Sequence, residues 1–197
     1  MGIEMKQAVC IDCCAWNYFF DRGLDLSVEL PKERFSIFMP REVEIEIAAI
    51  PDTSKNGTDN IPLKAYIYKT IHANQIQTTS VFGFATLEPD GTPSSVQTYG
   101  GFGQGTFQSD KGRGWYASQD VQSMLNGNSK RPTGLTRNQA DAAVASHSFY
   151  SIVLTAEDRD KKGPIKLAAN KNGKIIYLKD FGDSGLSLKN YISENIF

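Results

Sequence analysis

Apolar positions first gather in the short run Ala8-Val9-Cys10-Ile11, preceded by the polar Lys6-Gln7 and cut off by Asp12. A run of this length with polar borders predicts a buried strand, with Asp12 at its C-terminal edge. Residues Ala15 to Phe20 are apolar at nearly every position and predict a first helix turned into the core, closed by Asp21-Arg22-Gly23. Phe35 to Met39 predicts a second strand, and Pro40 opens a helix at a position proline tolerates. In that helix Val43, Ile47 and Ile50 form the apolar stripe, Glu46 borders it, and Glu42 and Glu44 are expected to face solvent. After a polar loop, Ile61-Pro62 starts a further helix with Leu63, Ile67, Thr70 and Ile71 at helical spacing, and His72 is expected at its surface.

From about residue 75 to residue 135 the texture changes to a β-rich, glycine-rich insertion. Thr78 to Leu87 reads as β-structure, Pro89-Asp90-Gly91 as a turn and Val96 to Tyr99 as a returning hairpin strand. Gly100 to Gly105 and Gly112-Arg113-Gly114-Trp115-Tyr116 read as a loop or hairpin tip, because the lysine and serine of a phosphate loop are missing. Ser118 to Leu125 is a candidate short helix. Lys111, Arg113, Trp115, Lys130 and Arg131 combine cations with ring faces, a composition suited to stacking single-stranded nucleic acid and equally suited to a lid or partner surface.

Thr136-Arg137-Asn138-Gln139 is a capping box announcing the alanine-rich helix Ala140 to His147, where Asp141 sits among small residues. His147 reads as a polar residue at the helix end. Phe149 to Leu154 predicts another buried strand, again ending in polar groups, Thr155-Ala156-Glu157-Asp158. A helix over Lys161 to Asn170, a strand over Lys174 to Leu178 and a terminal helix over Leu186 to Asn195 complete the pattern. Strands that are continuous apolar runs and alternate with helices imply a single α/β domain over residues 1–197. Its architecture is expected to be a three-layer α/β/α sandwich around a central parallel sheet.

Composition narrows the chemistry. The formal net charge of −1 supplies no overall basic field, so nucleic-acid binding would rest on a local patch or on bound metal ions. No apolar run is long enough to span a membrane and no secretory leader is evident, which points to a cytoplasmic protein without membrane partners. Cys10, Cys13 and Cys14 crowd one strand and its exit, a poor disulfide framework, and are read as small buried hydrophobes.

Asp12 after the first strand, Pro40-x-x-Val43-x-x-Glu46-Ile47, Asp141-Ala142-x-x-Ala145 and Val153-Leu154-Thr155-x-Glu157 together resemble the PIN domain family in order and approximate spacing, over about residues 5–72 and 132–180. The resemblance implies a parallel-sheet α/β/α fold and an endoribonuclease that binds Mg²⁺ or Mn²⁺, as in the toxins of toxin-antitoxin pairs. It implies RNA as substrate and an antitoxin protein as partner, and leaves a homodimer open. Carried over, Asp12, Glu46, Asp141 and Glu157 would form the metal cluster, with Thr155 as its hydroxyl neighbour. The sequence departs from the family where an aspartate or asparagine usually follows the threonine by two residues. Glu157 stands there with Asp158 beside it, so either could be the fourth metal ligand. Cys13 replaces the polar residue often found after the first aspartate, and Asn17 is a candidate substitute. A phosphatase with an aspartyl nucleophile would need Asp-x-Asp at the first strand, which Asp12-Cys13-Cys14 does not supply. A PIN-like domain without catalysis, using its insertion to hold a protein or RNA, is the alternative.

Overall fold

The computed structural model describes residues 6–81, 105–106, 109–125, 131 and 133–196. Its elements are β1 (Gln7–Ile11), α1 (Cys13–Asp21), α2 (Leu26–Glu29), β2 (Phe35–Pro40), α3 (Arg41–Ala48), α4 (Ile61–Ala73), β3 (Gln77–Val81) and β4 (Gly105–Thr106). They continue with α5 (Asp110–Tyr116), α6 (Gln119–Leu125), α7 (Gln139–His147), β5 (Ile152–Thr155), α8 (Pro164–Ala169), β6 (Ile175–Tyr177), α9 (Leu178–Gly182) and α10 (Leu188–Ile196).

The strands form one sheet in the order β4-β3-β2-β1-β5-β6, and every pairing is parallel. From β1 the chain steps outward to β2 and β3, then returns to the opposite flank of β1 to lay down β5 and β6. Because parallel crossovers are right-handed, the two directions of travel send helices to opposite faces. Thus α1 packs with α4 on one face, and α7 packs with α8 on the other. The α/β/α architecture expected from the sequence is present. Val9, Cys10 and Ile11 of β1, and every residue of β5, are buried, as strands covered on both faces must be.

The reversal of strand order falls between β1 and β5. Ligands of open parallel sheets bind at such a switch point, outside the C-terminal ends of the strands. Val9, Cys10 and Ile11 lie beside Ile152, Val153 and Leu154, and the Asp12 amide extends this register by donating to the Leu154 carbonyl at 3.0 Å. Asp12 and Thr155 therefore leave the sheet side by side.

Several local expectations are corrected. The segment read as a glycine-rich tip, Gly112 to Tyr116, is part of helix α5. Ser109 caps it by accepting from the Gly112 amide at 3.1 Å, and buried Trp115 anchors it on Phe149, with ring centroids 5.7 Å apart. Each glycine costs a helix about 1 kcal/mol against alanine, and tertiary burial of the indole overrides that preference. Glu42 is buried rather than solvent-facing, close enough to Tyr116 for its charge to raise the phenol's proton affinity, after burial itself. The helix expected from Lys161 starts only at Pro164, and α9 was not anticipated. Pro89 to Gly91, Val96 to Tyr99, Gly100 to Gln104 and Lys130 lie outside the described residues.

Candidate functional site

Asp12 is the N-terminal cap of α1, and only 3% of its surface is exposed. Its Oδ1 accepts from the Cys13 amide at 2.7 Å, and its Oδ2 accepts from Thr155 Oγ1 at 2.7 Å and Cys14 Sγ at 3.0 Å. Thr155 Oγ1 in turn accepts from the Glu157 amide at 3.1 Å, and Cys14 Sγ accepts from the Ala156 amide at 3.2 Å. The carboxylate is thus fixed in orientation by donors from two strand ends. Burial still pushes its proton affinity above the ordinary aspartate value, with the charge of Glu157 adding to the rise. The Cys14, Thr155 and Cys13 hydrogen bonds oppose it.

Three further acids are electrostatically joined to Asp12. Glu46, on the face of α3 beside Val43 and Ile47, has its proton affinity raised by burial and by the charges of Asp141 and Asp12. Asp141, in the first turn of α7, is pushed up to about 6, by burial first and then by Asp12. Glu157, just beyond β5, is raised by burial and by Asp141 and Asp158. Four separate segments, distant along the chain, therefore bring Asp12, Glu46, Asp141 and Glu157 into one field of mutual repulsion. The alanines of α7 are what allow this, since Ala142 and Ala145 are fully buried and let the helix lie close on β1, β2 and β5.

Two cations partly offset this field. Arg131 Nη1 donates to Glu46 Oε1 at 2.9 Å, and Lys161 Nζ pairs with Glu157 Oε1 four residues back along the chain. Both charges also lower the proton affinity of Asp141. Lys161 is itself raised, the pull of Glu157 and Asp141 outweighing the cost of its partial burial.

The remaining expected residues separate clearly. Glu157 and Asp158 differ in exposure and partner: the Glu157 side chain is 7% exposed, whereas that of Asp158 is 71% exposed and paired with Lys179. Asn17 is exposed on α1. The nucleic-acid platform expected from the insertion does not form among the described residues. Trp115 is core, Arg113 pairs with Asp110 on its own helix, and Lys111 lies over the Phe149 ring at 5.2 Å. Arg131 turns to the acids instead. His147 is buried and uncharged, its pKa lowered to about 3 by burial, with Nδ1 bonded to the Tyr150 hydroxyl.

Sequence reasoning missed Cys14 and Lys161. Cys14 stands two residues after a helix-capping aspartate, and Lys161 stands four residues after Glu157. Each spacing is a readable local signal once the neighbouring acid is suspected.

Carboxylate oxygens with raised proton affinity are the donor set that a hard divalent cation such as Mg²⁺ or Mn²⁺ takes, because the cation relieves the repulsion. Donor type is the one respect in which the four carboxylates suit such an ion. Among the described residues no three of the acid, cysteine or histidine side chains form a ready-made ligand set, and two of the four acids are engaged by Arg131 and Lys161. Among the described residues no helix is long and apolar enough to cross a membrane. Comparison of the chain with protein-family models, with curated proteins and with solved structures finds no match.

Proposed function

We propose that the chain is a PIN-like, metal-dependent endoribonuclease whose acids Asp12, Glu46, Asp141 and Glu157 hold Mg²⁺ or Mn²⁺ at the end of the parallel sheet. One observation supports this reading: buried Asp12 and the partly buried Glu46, Asp141 and Glu157, from four separate segments, have their proton affinities raised by burial and by neighbouring acids of the group near the switch point of the sheet. Such an arrangement costs folding free energy and is retained where a ligand neutralises it. A divalent cation bound there supplies Lewis acidity and charge neutralisation towards a phosphodiester.

The chain's own groups divide the remaining work. Asp12, held by Thr155, Cys14 and the Cys13 amide, presents its carboxylate in one orientation. Asp141, whose proton affinity is raised by burial and by Asp12, would be drawn into its ionised form by a bound cation and so serve as one of its ligands. Glu46 and Glu157 bound the site from the α3 side and the β5 side. In a toxin-antitoxin setting, the partner would be an antitoxin protein.

The test is cleavage of single-stranded and structured RNA with Mg²⁺ or Mn²⁺ by the protein and by Asp12→Asn and Asp141→Asn. Each substitution is expected to lower the rate at least about a hundredfold. Activity retained in both variants removes these residues from the mechanism.

A second reading rests on the Arg131–Glu46 and Lys161–Glu157 pairs, which satisfy two of the acids without any ion. In it, the domain is non-catalytic and holds a protein or RNA partner. Calorimetric titration with Mn²⁺ separates the two: the nuclease binds the ion and loses it in Glu46→Gln, whereas the scaffold binds none.

A further inference from the structure

The loop between α3 and α4 is tied at its base. Thr53 and Asp59 form an isolated antiparallel bridge, the Asn60 amide donates to the Asp52 carbonyl at 2.8 Å, and Asn60 Nδ2 donates to the Pro51 carbonyl at 2.9 Å. At the tip stands Asn56-Gly57, both residues exposed. Three donors converge on the Asn56 side-chain oxygen: the Ser54 hydroxyl, the Thr58 hydroxyl at 3.0 Å and the Thr58 amide at 3.4 Å. The Thr58 amide also donates to Ser54 Oγ at 2.9 Å, which holds the two hydroxyl residues together. Beside them the Gly57 amide donates to the Ser54 carbonyl at 2.9 Å, and Gly57 has φ +86° with open space where a side chain would stand. Donors on an amide oxygen draw electrons from its carbon and stabilise the oxyanion that forms when a nucleophile adds there. The next backbone nitrogen is such a nucleophile, and a glycine presents it with the least hindrance.

The same dipeptide recurs just beyond α8, at Asn172-Gly173, under opposite conditions. Asn172 holds φ +62°, and the Gly173 amide donates to the Ala168 carbonyl at 2.9 Å. Gly173 is so tightly packed that a Cβ on it would lie 2.2 Å from Ser148 Oγ. Among the described residues no donor reaches the Asn172 side-chain oxygen. The third Asn-Gly pair of the chain, Asn126-Gly127, lies outside the described residues.

We propose that Asn56 is a site of self-catalysed deamidation, with the Ser54 and Thr58 donors as the oxyanion hole for attack by the Gly57 nitrogen, and that packing holds Asn172 unreactive. The Gly57 nitrogen bonds to Asn56 Cγ, the Cγ–Nδ2 bond breaks, and the Gly57 amide proton leaves with Nδ2 as ammonia, giving a succinimide. Water then adds to either ring carbonyl and breaks its bond to the nitrogen. The water oxygen stays on the new carboxyl group, one water hydrogen goes to the nitrogen, and the carboxyl proton goes to solvent. The product is aspartate or isoaspartate, and water is the only co-reactant. The new carboxylate joins Asp52 and Asp59 in the loop, and the isoaspartyl form lengthens the backbone by a methylene carbon. Both changes act at the entry to α4, where Asp52 holds Lys64 at 2.6 Å. Nothing in this chemistry depends on a metal at the acid cluster.

The experiment incubates the full chain at pH 8 with chelator, folded and unfolded in urea. Conversion at Asn56 and Asn172 is followed by mass spectrometry of peptides, corrected by a zero-time sample, and isoaspartate is read by enzymatic methyl transfer. In the fold Asn56 is expected to convert at least about tenfold faster than Asn172, and in urea the two rates approach each other. Ser54→Ala and Thr58→Val are each expected to slow Asn56 about three- to tenfold in the fold and to leave its rate in urea unchanged. Thr58→Ser, which keeps the hydroxyl, retains the parent rate.

Equal conversion of Asn56 and Asn172 in the folded chain overturns the proposal. So does conversion in Ser54→Ala and Thr58→Val that matches or exceeds the parent, the behaviour of an Asn-Gly pair whose loop has merely been loosened. A slowing that is equally large in urea also overturns it, because it then belongs to the sequence and not to the fold.

Discussion

Replacing Asp141 by asparagine is expected to stabilise the protein in chelating buffer at pH 8. The carboxyl has a pKa of about 6 in the fold, against an ordinary aspartate value of 3.8, because burial and the charge of Asp12 penalise its ionised form. The folded chain thus binds this proton more tightly than the unfolded chain does. Above pH 6 the group is ionised in both states and the fold carries the full penalty. Between about pH 6 and pH 4 the folded form takes up its proton first, so the penalty fades as the solution is acidified. A difference of about two pKa units corresponds to about 3 kcal/mol at pH 8, to roughly half of that at pH 5 and to little by pH 4. Asparagine has nearly the same shape and no charge to desolvate. In a chain of this size the gain at pH 8 amounts to an increase in Tm of about 6–12 °C. Thermal unfolding of parent and Asp141→Asn with chelator at pH 8, 5 and 4 measures it. A Tm that is unchanged or lowered at pH 8, or a gain that persists undiminished at pH 4, would refute the claim that burial and the charge of Asp12 penalise ionised Asp141 by more than Lys161 and Arg131 offset. On the proposed nuclease reading the same substitution lowers RNA cleavage at least about a hundredfold, the trade of stability for function found at preorganised sites.

Two other perturbations probe the supports of the site. Thr155→Val removes the donor to Asp12 Oδ2 and is expected to cost about 1.5–3 kcal/mol in urea unfolding at pH 8, with a smaller loss in acid, where Asp12 is protonated. Equal stability of the two proteins at pH 8 would mean that the hydroxyl does not hold the carboxylate. Gly173→Ala drives a Cβ into Ser148 Oγ and brings it within 3.0 Å of the Ala168 carbonyl. The Ser148 hydroxyl is itself buried and donates to the Ala145 carbonyl at 2.7 Å, so it cannot simply turn aside. A loss of about 1–3 kcal/mol is expected between α7 and β6, read as a lowered urea midpoint, and an unchanged midpoint would contradict the close approach there.

Taken alone, the sequence specified what depends on neighbours along the chain. Short apolar runs with polar borders such as Val9-Cys10-Ile11 and Ile152-Val153-Leu154 favour strands covered on both faces, and both are strand, although the second begins at Ile152 and not at Phe149. The spacing of Val43 and Ile47 marks one side of a helix, whereas the Thr136–Gln139 capping box is only half formed: Gln139 Oε1 accepts from the Thr136 amide at 3.1 Å, but the helix starts at Gln139 with Asn138 as its cap residue. With them came the positions of Asp12, Glu46, Asp141 and Glu157 at strand ends and on helix faces. Tertiary structure alone decided which groups face one another. Glu46 meets Arg131 across 85 positions of chain, and Cys14 meets Thr155 across 141. Trp115 turns inward because α5 packs on α7, and Glu42 is buried beside Tyr116 of the same helix, not because of anything in their own surroundings in sequence. Local propensity is set by sterics and solvation within a few residues. A charge, by contrast, acquires its partner and its proton affinity only after the strand order has reversed between β1 and β5 and closed the distance.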